Sequence, residues 1–303
     1  MCDSTIIMGA AVGYTADALR PFVASCHSAM PTARIVLFSD KADAINAPGV
    51  ELVKILDSDY RHFLRSFPRG GRFLSRCSHA FGSVLSPDKG PSSPLFTAAF
   101  GIAIARFFWY RDWLKQQTLN GNENILLADT RDVVFQKDVF SGRTENRLFC
   151  GVEPVKIRNC GINKGWLETA YRHELPQSLL DQNVLCSGVV GGPLVLMRQY
   201  IDQMCCELGR IGTRILRASG YDQAVHNFLL RTTDIGTHFE YDTWDSDRLC
   251  TMHFVSTTQL QRDAQGNLCD TRGQIISILH QYDRRQELVE WAEQRWGGHI
   301  VAP

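Results

Sequence analysis

The sequence has no long apolar run and no excess of charge of either sign. Its longest mainly apolar stretch, 95–105, is followed by Arg106 and is about half as long as a membrane-spanning helix, which needs roughly 20 residues. No transmembrane segment is therefore expected. The 303 residues carry 32 Lys plus Arg and 32 Asp plus Glu, and this zero net charge gives no reason to expect a nucleic-acid partner.

Three short signatures are also missing. The 10 cysteines include no C-x-x-C pair, which removes the usual spacing of structural zinc sites and of thioredoxin-like redox centres. There is no N-x-[ST] glycosylation sequon, and the opening residues have no signal-peptide character. We therefore expect a cytoplasmic protein with reduced thiols.

The sequence does contain an alternation of strands and helices. Hydrophobic residues make up 44% and charged residues 21%, which are ordinary values for a globular protein. Apolar runs at 5–8, 33–39 and 49–55 predict strands, and the pattern at 16–29 predicts a helix between the first two. This alternation predicts an α/β fold in one domain, with a mainly parallel, Rossmann-like sheet and helices on both faces.

Apolar periodicity and turn residues predict the remaining elements. Further strands are expected at 124–128, 133–135, 148–152, 249–255 and 275–279, the second of them continuing directly from the first. Further helices are expected at 95–117, 166–173, 193–209, 221–231 and 284–296. The segment 68–94 is rich in Gly, Pro, Ser and Arg, and its lack of periodicity predicts a long surface loop with a functional role.

The most informative motif is the pair of carboxylates that follows the strand at 124–128. Asp129 and Asp132 would lie at the carboxyl edge of a parallel sheet, where open α/β sheets bind ligands. If residues 130 and 131 form the middle of a turn, the two carboxylates can share one hard cation with a diphosphate. Alternatively, Asp129 caps a turn and Asp132 pairs with a nearby arginine.

Three other segments offer weaker candidates. Asp222 and Gln223 open a helix after a glycine, and they could hold sugar hydroxyls or, in the case of Asp222, only cap the helix. Cys186 and the small residues of 187–192 predict a tight turn or a close approach of ligand to the backbone. His280 ends a buried strand, where it could be a metal ligand or a structural residue, with Asp283 as a possible orienting partner.

In this order, these segments resemble the GT-A superfamily of nucleotide-sugar glycosyltransferases, and within it the branch that contains glycogenin and bacterial galactosyltransferases. The resemblance covers most of the chain, and its landmarks are the apolar first strand, Asp40, Arg106, Asp129, Ser187-Gly188, Asp222-Gln223 and the late His280. It implies a GT-A fold, in which 1–136 would bind the nucleotide and 137–303 the acceptor.

The resemblance also implies a role for each matching residue. Asp129 and His280 would hold a divalent cation, Mn²⁺ or Mg²⁺, on the donor diphosphate, and Asp132 would join them if the turn at 130 and 131 brings it close; otherwise these two would bind the metal largely without it. Asp222 and Gln223 would be the catalytic pair that faces the donor sugar and the reacting centre. The donor-binding residues would be Gly9, Ala10, Tyr14, Asp40, Arg106, Ser187 and Gly188.

The sequence departs from the superfamily pattern in two places. Arg131 occupies the third position of the Asp-x-Asp motif, and the second carboxylate arrives one residue later, at Asp132. The residues after His280 also lack the lysine that is familiar in the glycogenin branch. Its positive charge would have to come from Arg284, Arg285 or the basic segment 69–76.

The function that we expect is transfer of a sugar, with a UDP-sugar favoured as donor, to a carbohydrate or other hydroxyl acceptor. The branch that the chain resembles slightly favours retention of anomeric configuration. A sugar nucleotidyltransferase is the nearest alternative, although the segment 9–13 has no Lys or Arg for a basic phosphate loop. A non-catalytic relative that only binds the sugar nucleotide is another. An aspartyl phosphatase would carry its motif near the N-terminus and not at residue 129.

Overall fold

A seven-stranded sheet organises the part of the chain that the computed structural model describes. That part comprises residues 4–55, 76, 77, 80, 97, 100–143, 146–215 and 220–297. The predicted surface loop at 68–94 lies outside it, apart from three isolated residues, and so does the start of the helix predicted at 95–117.

The strand order of the main sheet is β3-β2-β1-β4-β7-β6-β8. Its strands are β1 Thr5–Ala10, β2 Arg34–Ser39, β3 Val50–Lys54, β4 Asn124–Ala128, β6 Leu148–Lys156, β7 Asn183–Pro193 and β8 Phe239–Asp242. Only β7 runs against the others, because it pairs antiparallel with both β4 and β6. The prediction of an α/β fold with a mainly parallel sheet is confirmed.

Helices cover both faces of this sheet, as predicted. The helices are α1 Ala16–Ala29, α2 Ile102–Gln116, α3 Gly161–Tyr171, α4 Leu194–Ile215, α5 Tyr221–Thr232 and α6 Gln286–Trp296. Alternate residues of β1 point to opposite faces. Ile6 packs in the core formed with α2, α4 and α5, whereas Ile7 packs in the core formed with α1.

A second, three-stranded sheet brings the C-terminal part of the chain back to the end of β4. It consists of β5 Val133–Phe135, β12 Ile278–His280 and β9 Leu249–Thr251, with β12 in the middle. Val133 is paired with His280, and the Gln281 N–H donates to the Asp132 carbonyl over 2.7 Å. This register places His280 beside the segment that joins β4 to β5.

One prediction about strands was wrong. The segment 187–192 is not a turn but the middle of β7, and its glycines serve close packing: a side chain at Gly191 would overlap Phe149 of the neighbouring strand. The strand predicted at 133–135 is present as β5, and because the chain bends at 130–132, β5 joins the second sheet and not the main one.

Several predicted boundaries also moved. Helix α4 continues beyond the predicted end at residue 209 to Ile215, because Leu208, Ile211 and Ile215 keep its buried face apolar. Helix α3 begins before the predicted start at residue 166. A short antiparallel pair, β10 Gln261–Arg262 with β11 Leu268–Cys269, was not predicted.

None of the helices within the described ranges is long and apolar enough to cross a membrane. The assignment of 1–303 to one domain, with its division at residue 136, stays a prediction, as does the cytoplasmic location.

The buried imidazole of His226 predicts a pH-dependent stability. Burial lowers the pKa of His226 to about 3, and the positive charges of Arg231 and Arg106 act in the same direction, while the Tyr200 hydroxyl lies 2.8 Å from Nδ1. In the unfolded chain histidine titrates near ~6.5, so below that pH the unfolded state gains a proton that the folded state does not take. The free energy of unfolding should therefore fall as the pH falls from ~6.5 towards the folded pKa.

We expect this single residue to cost about 2 kcal/mol of stability between pH 7 and pH 5. Urea unfolding of the wild type and of His226→Gln at both pH values measures the difference. The exposed His238 is the control, and His238→Gln should keep the wild-type dependence. Equal pH dependence in the wild type and His226→Gln would contradict a neutral buried imidazole.

Candidate metal centre and binding cavity

A cavity of about 350 Å³ opens at the carboxyl edge of the main sheet, where β4 ends. The residues that line it come from both sheets and from α2, α3 and α5, and they include Arg106, Asp129, Ser187, Gly188, Asp222, Gln223 and His280. Seven residues that the sequence singled out are therefore brought to one place. This is the edge at which open α/β sheets bind ligands.

Asp129, Asp132 and His280 form a cluster beside this cavity. One potential ligand atom from each lies within 4.8 Å of the other two. The end of β4 presents Asp129, the bend at 130–132 presents Asp132, and the end of β12 presents His280. The bend therefore does bring the two carboxylates together, as the metal hypothesis required.

The chemistry of these three groups fits a divalent cation. His280 Nε2 is buried without a hydrogen-bond partner and lies 3.6 Å from Asp129 Oδ2 and 3.9 Å from Asp132 Oδ1. These gaps are too long for hydrogen bonds but match neighbouring ligands of one ion, which lie about 3–4 Å apart when each bond is about 2.1 Å. Two carboxylates and one imidazole suit Mn²⁺ better than Mg²⁺, which prefers oxygen ligands alone.

Arg106 connects this cluster to the catalytic pair predicted from the sequence. Its guanidinium, on α2, pairs with Asp129 Oδ1 on one side and with Asp222 Oδ2, at 2.9 Å, on the other. Arg106 is 8% exposed and Asp222 is 3% exposed, so this bridge is shielded from water. Asp129 keeps Oδ2 turned towards His280.

The same arginine leaves the two carboxylates with opposite pKa shifts. Burial alone would raise the pKa of Asp129, but Arg106 and His280 outweigh it and hold that pKa well below its usual value. Burial raises the pKa of Asp222, and the attraction of Arg106 only partly offsets it. Carboxyl groups whose pKa values are pushed apart in one site are typical of groups with different roles in a reaction.

Asp222 does not cap its helix, which removes the alternative explanation for this residue. Gly220, with φ of 84°, occupies the N-cap position of α5, and no side chain accepts a capping hydrogen bond there. Asp222 instead turns into the cavity, where it also accepts a hydrogen bond from Ser187 Oγ over 3.1 Å. The amide of Gln223 donates to Asn163 Oδ1 over 2.8 Å.

Among the described residues, no arginine forms an ion pair with Asp132, which was the alternative expected for this carboxylate. The neighbouring Arg131 pairs with Asp283 at 3.1 Å, and Asp132 faces His280. Burial raises the pKa of Asp132, with a further rise from Asp129 and an opposing effect of His280. Because Asp283 pairs with Arg131, it is not the residue that orients His280.

The other donor-binding residues that we predicted lie beside the cavity and do not line it. Gly9 and Ala10 end β1, and the Ala10 carbonyl accepts a hydrogen bond from the Thr130 hydroxyl over 2.8 Å. Asp40 accepts a hydrogen bond from the Gly13 N–H over 2.8 Å, which fixes the loop before Tyr14. Donor binding by Gly9, Ala10, Tyr14 and Asp40 stays a prediction.

Cavity residues that were not predicted from the sequence include Glu153, Asn163 and Trp166. Glu153 follows the predicted strand 148–152 directly, and a charged residue at the end of a buried strand was a signal that could have singled it out, since carboxylates are rarely buried unless they have a partner. Arg284 lines the cavity, whereas Arg285 donates to the Val255 carbonyl. Arg284 is thus the better placed of these two candidates for a diphosphate partner.

Gly188 lies so close to the metal cluster that a side chain would not fit there. A Cβ there would overlap the imidazole of His280 and lie 2.7 Å from Asp129 Oδ2. Overpacking of this kind costs about 1–3 kcal/mol, so Gly188→Ala should displace His280 and weaken Mn²⁺ binding by about 10-fold or more. Gly165→Ala on α3 is the control, because a Cβ there meets nothing within 4 Å. Calorimetric titration with Mn²⁺ measures both, and an unchanged affinity in Gly188→Ala would contradict the cluster as the metal site.

No protein-family model matches this sequence, and no curated protein matches it. The class of the protein is therefore defined by its fold and site: it is an α/β protein with a candidate metal centre at the carboxyl edge of a mostly parallel sheet.

Proposed function

We propose that this protein is a metal-dependent glycosyltransferase of the GT-A type, which moves a sugar from a nucleoside-diphosphate donor to a hydroxyl acceptor. A UDP-sugar is the favoured donor, by resemblance to the superfamily. The observation that carries the proposal is the Arg106 bridge, because it links the cation-binding cluster to Asp222 inside one cavity. A metal site and a carboxylate for the sugar are thus held next to each other.

Asp129, Asp132 and His280 are the residues that would hold Mn²⁺ in this proposal. A divalent cation at that position supplies positive charge that stabilises the leaving diphosphate as the glycosidic bond breaks. The remaining steps depend on side chains of the chain itself.

Different side chains of the protein would bind different parts of the donor. Arg284, at the cavity wall, would provide positive charge for phosphate oxygens, and Arg106, which shares its single charge between Asp129 and Asp222, would hold these two carboxylates in place beside the donor. The carboxylate of Asp222 accepts hydrogen bonds from sugar hydroxyls or faces the positive charge that develops on the sugar. Gln223 is fixed by Asn163 and orients the same sugar.

A non-catalytic protein that binds a sugar nucleotide would use the same cavity, and it is the alternative to separate by experiment. A sugar nucleotidyltransferase is less well supported, because the segment 9–13 after β1 has no cationic side chain for a phosphate-binding loop. The Gly13 N–H of this loop donates to Asp40. Release of UDP from a UDP-sugar without acceptor would distinguish an enzyme from a binding protein.

Thermal denaturation with nucleotides and metal tests the proposal. UDP at about 100 times its dissociation constant should stabilise the protein by about 2.7 kcal/mol, a rise in Tm of several degrees. We expect this rise with Mn²⁺ and only a small one with chelator. Asp129→Asn should lose the metal-dependent part. An equal rise with chelator and with Mn²⁺, or no rise with any nucleoside diphosphate, would contradict the proposed function.

A further inference from the structure

Cys186 lies on the side of His280 that faces away from the carboxylates. Its Sγ is 3.6 Å from His280 Nδ1, and the residue, on β7, is 2% exposed. The other ring nitrogen, Nε2, is the one that faces Asp129 and Asp132. The two nitrogens of an imidazole point in different directions. Cys186 therefore contacts the ring of His280 without being a ligand of the cation.

The tautomer of His280 decides whether the imidazole can bind a metal. A ligating Nε2 must offer its lone pair, so the ring proton must be on Nδ1. The hydrogen bond that the other nitrogen makes selects this tautomer in most histidine metal sites. In this chain the group at hydrogen-bonding distance from Nδ1 is the thiol of Cys186, whose sulfur can accept the Nδ1 proton.

A thiol that accepts through sulfur still has its own proton to donate, and Glu153 lies beside it. Glu153 is on β6, the neighbour of β7, and is 1% exposed. Burial raises the pKa of the Glu153 carboxyl group, and the nearby His280 and Cys186 act in the opposite direction, while Oε2 has no hydrogen-bond partner among the described residues. Burying a carboxylate is costly unless a donor faces it. The Cys186 thiol, which lies near enough to act on this carboxyl group, would be that donor.

We propose that Cys186 and Glu153 are positioning residues that hold His280 in the tautomer protonated at Nδ1, so that Nε2 is free to bind the cation. In this proposal the Cys186 thiol donates to the Glu153 carboxylate, and its sulfur, 3.6 Å from Nδ1, accepts from the imidazole. This series of contacts corresponds to the carboxylate–histidine–metal arrangement of many metal sites, with a thiol inserted between carboxylate and ring. The inference rests on the proposed metal site.

If Cys186 served only to fill space in the core, replacing it would have the same effect on the site as replacing another buried cysteine. Cys205 is also fully buried, on α4, but it belongs to the apolar core between helices, and no hydrogen bond within the described part of the chain joins it to a histidine. Cys205→Ala therefore removes a buried thiol without changing the site. Cys186→Ser keeps a group that can accept the Nδ1 proton and donate to Glu153, whereas Cys186→Ala keeps neither function.

The experiment combines Mn²⁺ affinity with the protonation of His280. Calorimetric titration with Mn²⁺ alone should show a 10- to 100-fold weaker affinity for Cys186→Ala, a smaller loss for Glu153→Gln, and near wild-type affinity for Cys186→Ser and Cys205→Ala. Nitrogen-15 NMR of ¹⁵N-histidine protein saturated with Mg²⁺, which is diamagnetic, should show the His280 proton on Nδ1 in the wild type and a mixture of tautomers in Cys186→Ala.

The outcomes separate this inference from the proposed function. If the wild type binds Mn²⁺ and Cys186→Ala binds it equally well with an unchanged tautomer, the positioning role is wrong while the metal site stands. If the wild type shows no saturable binding of Mn²⁺ that Asp129→Asn abolishes, the metal site itself is wrong and the inference fails with it. If Cys205→Ala weakens binding as much as Cys186→Ala, the effect comes from loss of packing and the inference is overturned.

Discussion

Replacing Asp129 by Asn is expected to lower metal-dependent turnover of the sugar donor by at least ~10²-fold, a loss on the order of 3 kcal/mol in charge stabilisation. The substitution keeps the size of the side chain but removes the negative charge. The carboxyl group of Asp129 is ionised in the folded protein, because Arg106 and His280 hold its pKa well below the usual value. The measurement is UDP release from UDP-glucose or UDP-galactose as a function of Mn²⁺ concentration.

The two neighbours of Asp129 provide graded comparisons for this result. His280→Ala should act in the same direction, and Asp132→Asn should do nearly as much, since its Oδ1 lies 3.9 Å from His280 Nε2. If affinity for the cation is what is lost, all three defects should diminish at saturating Mn²⁺. Full activity of Asp129→Asn in chelator-treated buffer would contradict a metal at this cluster.

Replacing Arg106 by Gln is expected to cost about 3–5 kcal/mol of stability in metal-free buffer, because it leaves the buried carboxylate of Asp222 and the partly exposed carboxylate of Asp129 without their cation. Asp222 is 3% exposed and would retain a hydrogen bond only from Ser187 among the partners seen here. Asp129 would keep only its contact with His280. Urea unfolding at neutral pH measures the change in the free energy of unfolding.

Arg210 is the matched control for this prediction. It also pairs with two carboxylates, those of Glu174 and Glu207, but its side chain is 44% exposed. Exposed pairs contribute about 0–1 kcal/mol, so Arg210→Gln should change little. The double variant Arg106→Gln/Asp222→Asn should recover part of the loss, since it removes one of the unpaired charges. Equal unfolding free energies for Arg106→Gln and Arg210→Gln would show that the buried bridge is not a stabilising element.

Part of the fold and site could be predicted because it depends on local sequence. The alternation of apolar runs and helical segments indicated the mainly parallel sheet, and parallel strands end at the same edge. The position of Asp129 at the end of β4 follows directly from that. Its meeting with His280, 151 residues later, was expected only from the resemblance to a superfamily, since no local pattern specifies which distant strands pair.

The errors have physical causes that lie outside local sequence. The glycines of β7 look like a turn, and their reason is close packing, of Gly191 against Phe149 and of Gly188 against His280. The antiparallel direction of β7 is set by its pairing with β4 and β6, which are distant in sequence. Cys186 was read as one of several small residues, because nothing next to it in the chain reveals that His280 lies beside its sulfur.

The most direct test of the proposed metal site is a crystal structure of the wild-type protein with Mn²⁺ and UDP, with anomalous diffraction used to locate manganese. We expect one strong anomalous peak within about 2.3 Å of oxygen atoms of Asp129 and Asp132 and of His280 Nε2, with the diphosphate on the same ion. A manganese peak on the diphosphate but away from these three side chains, or UDP bound outside the cavity beside Arg106, would contradict it.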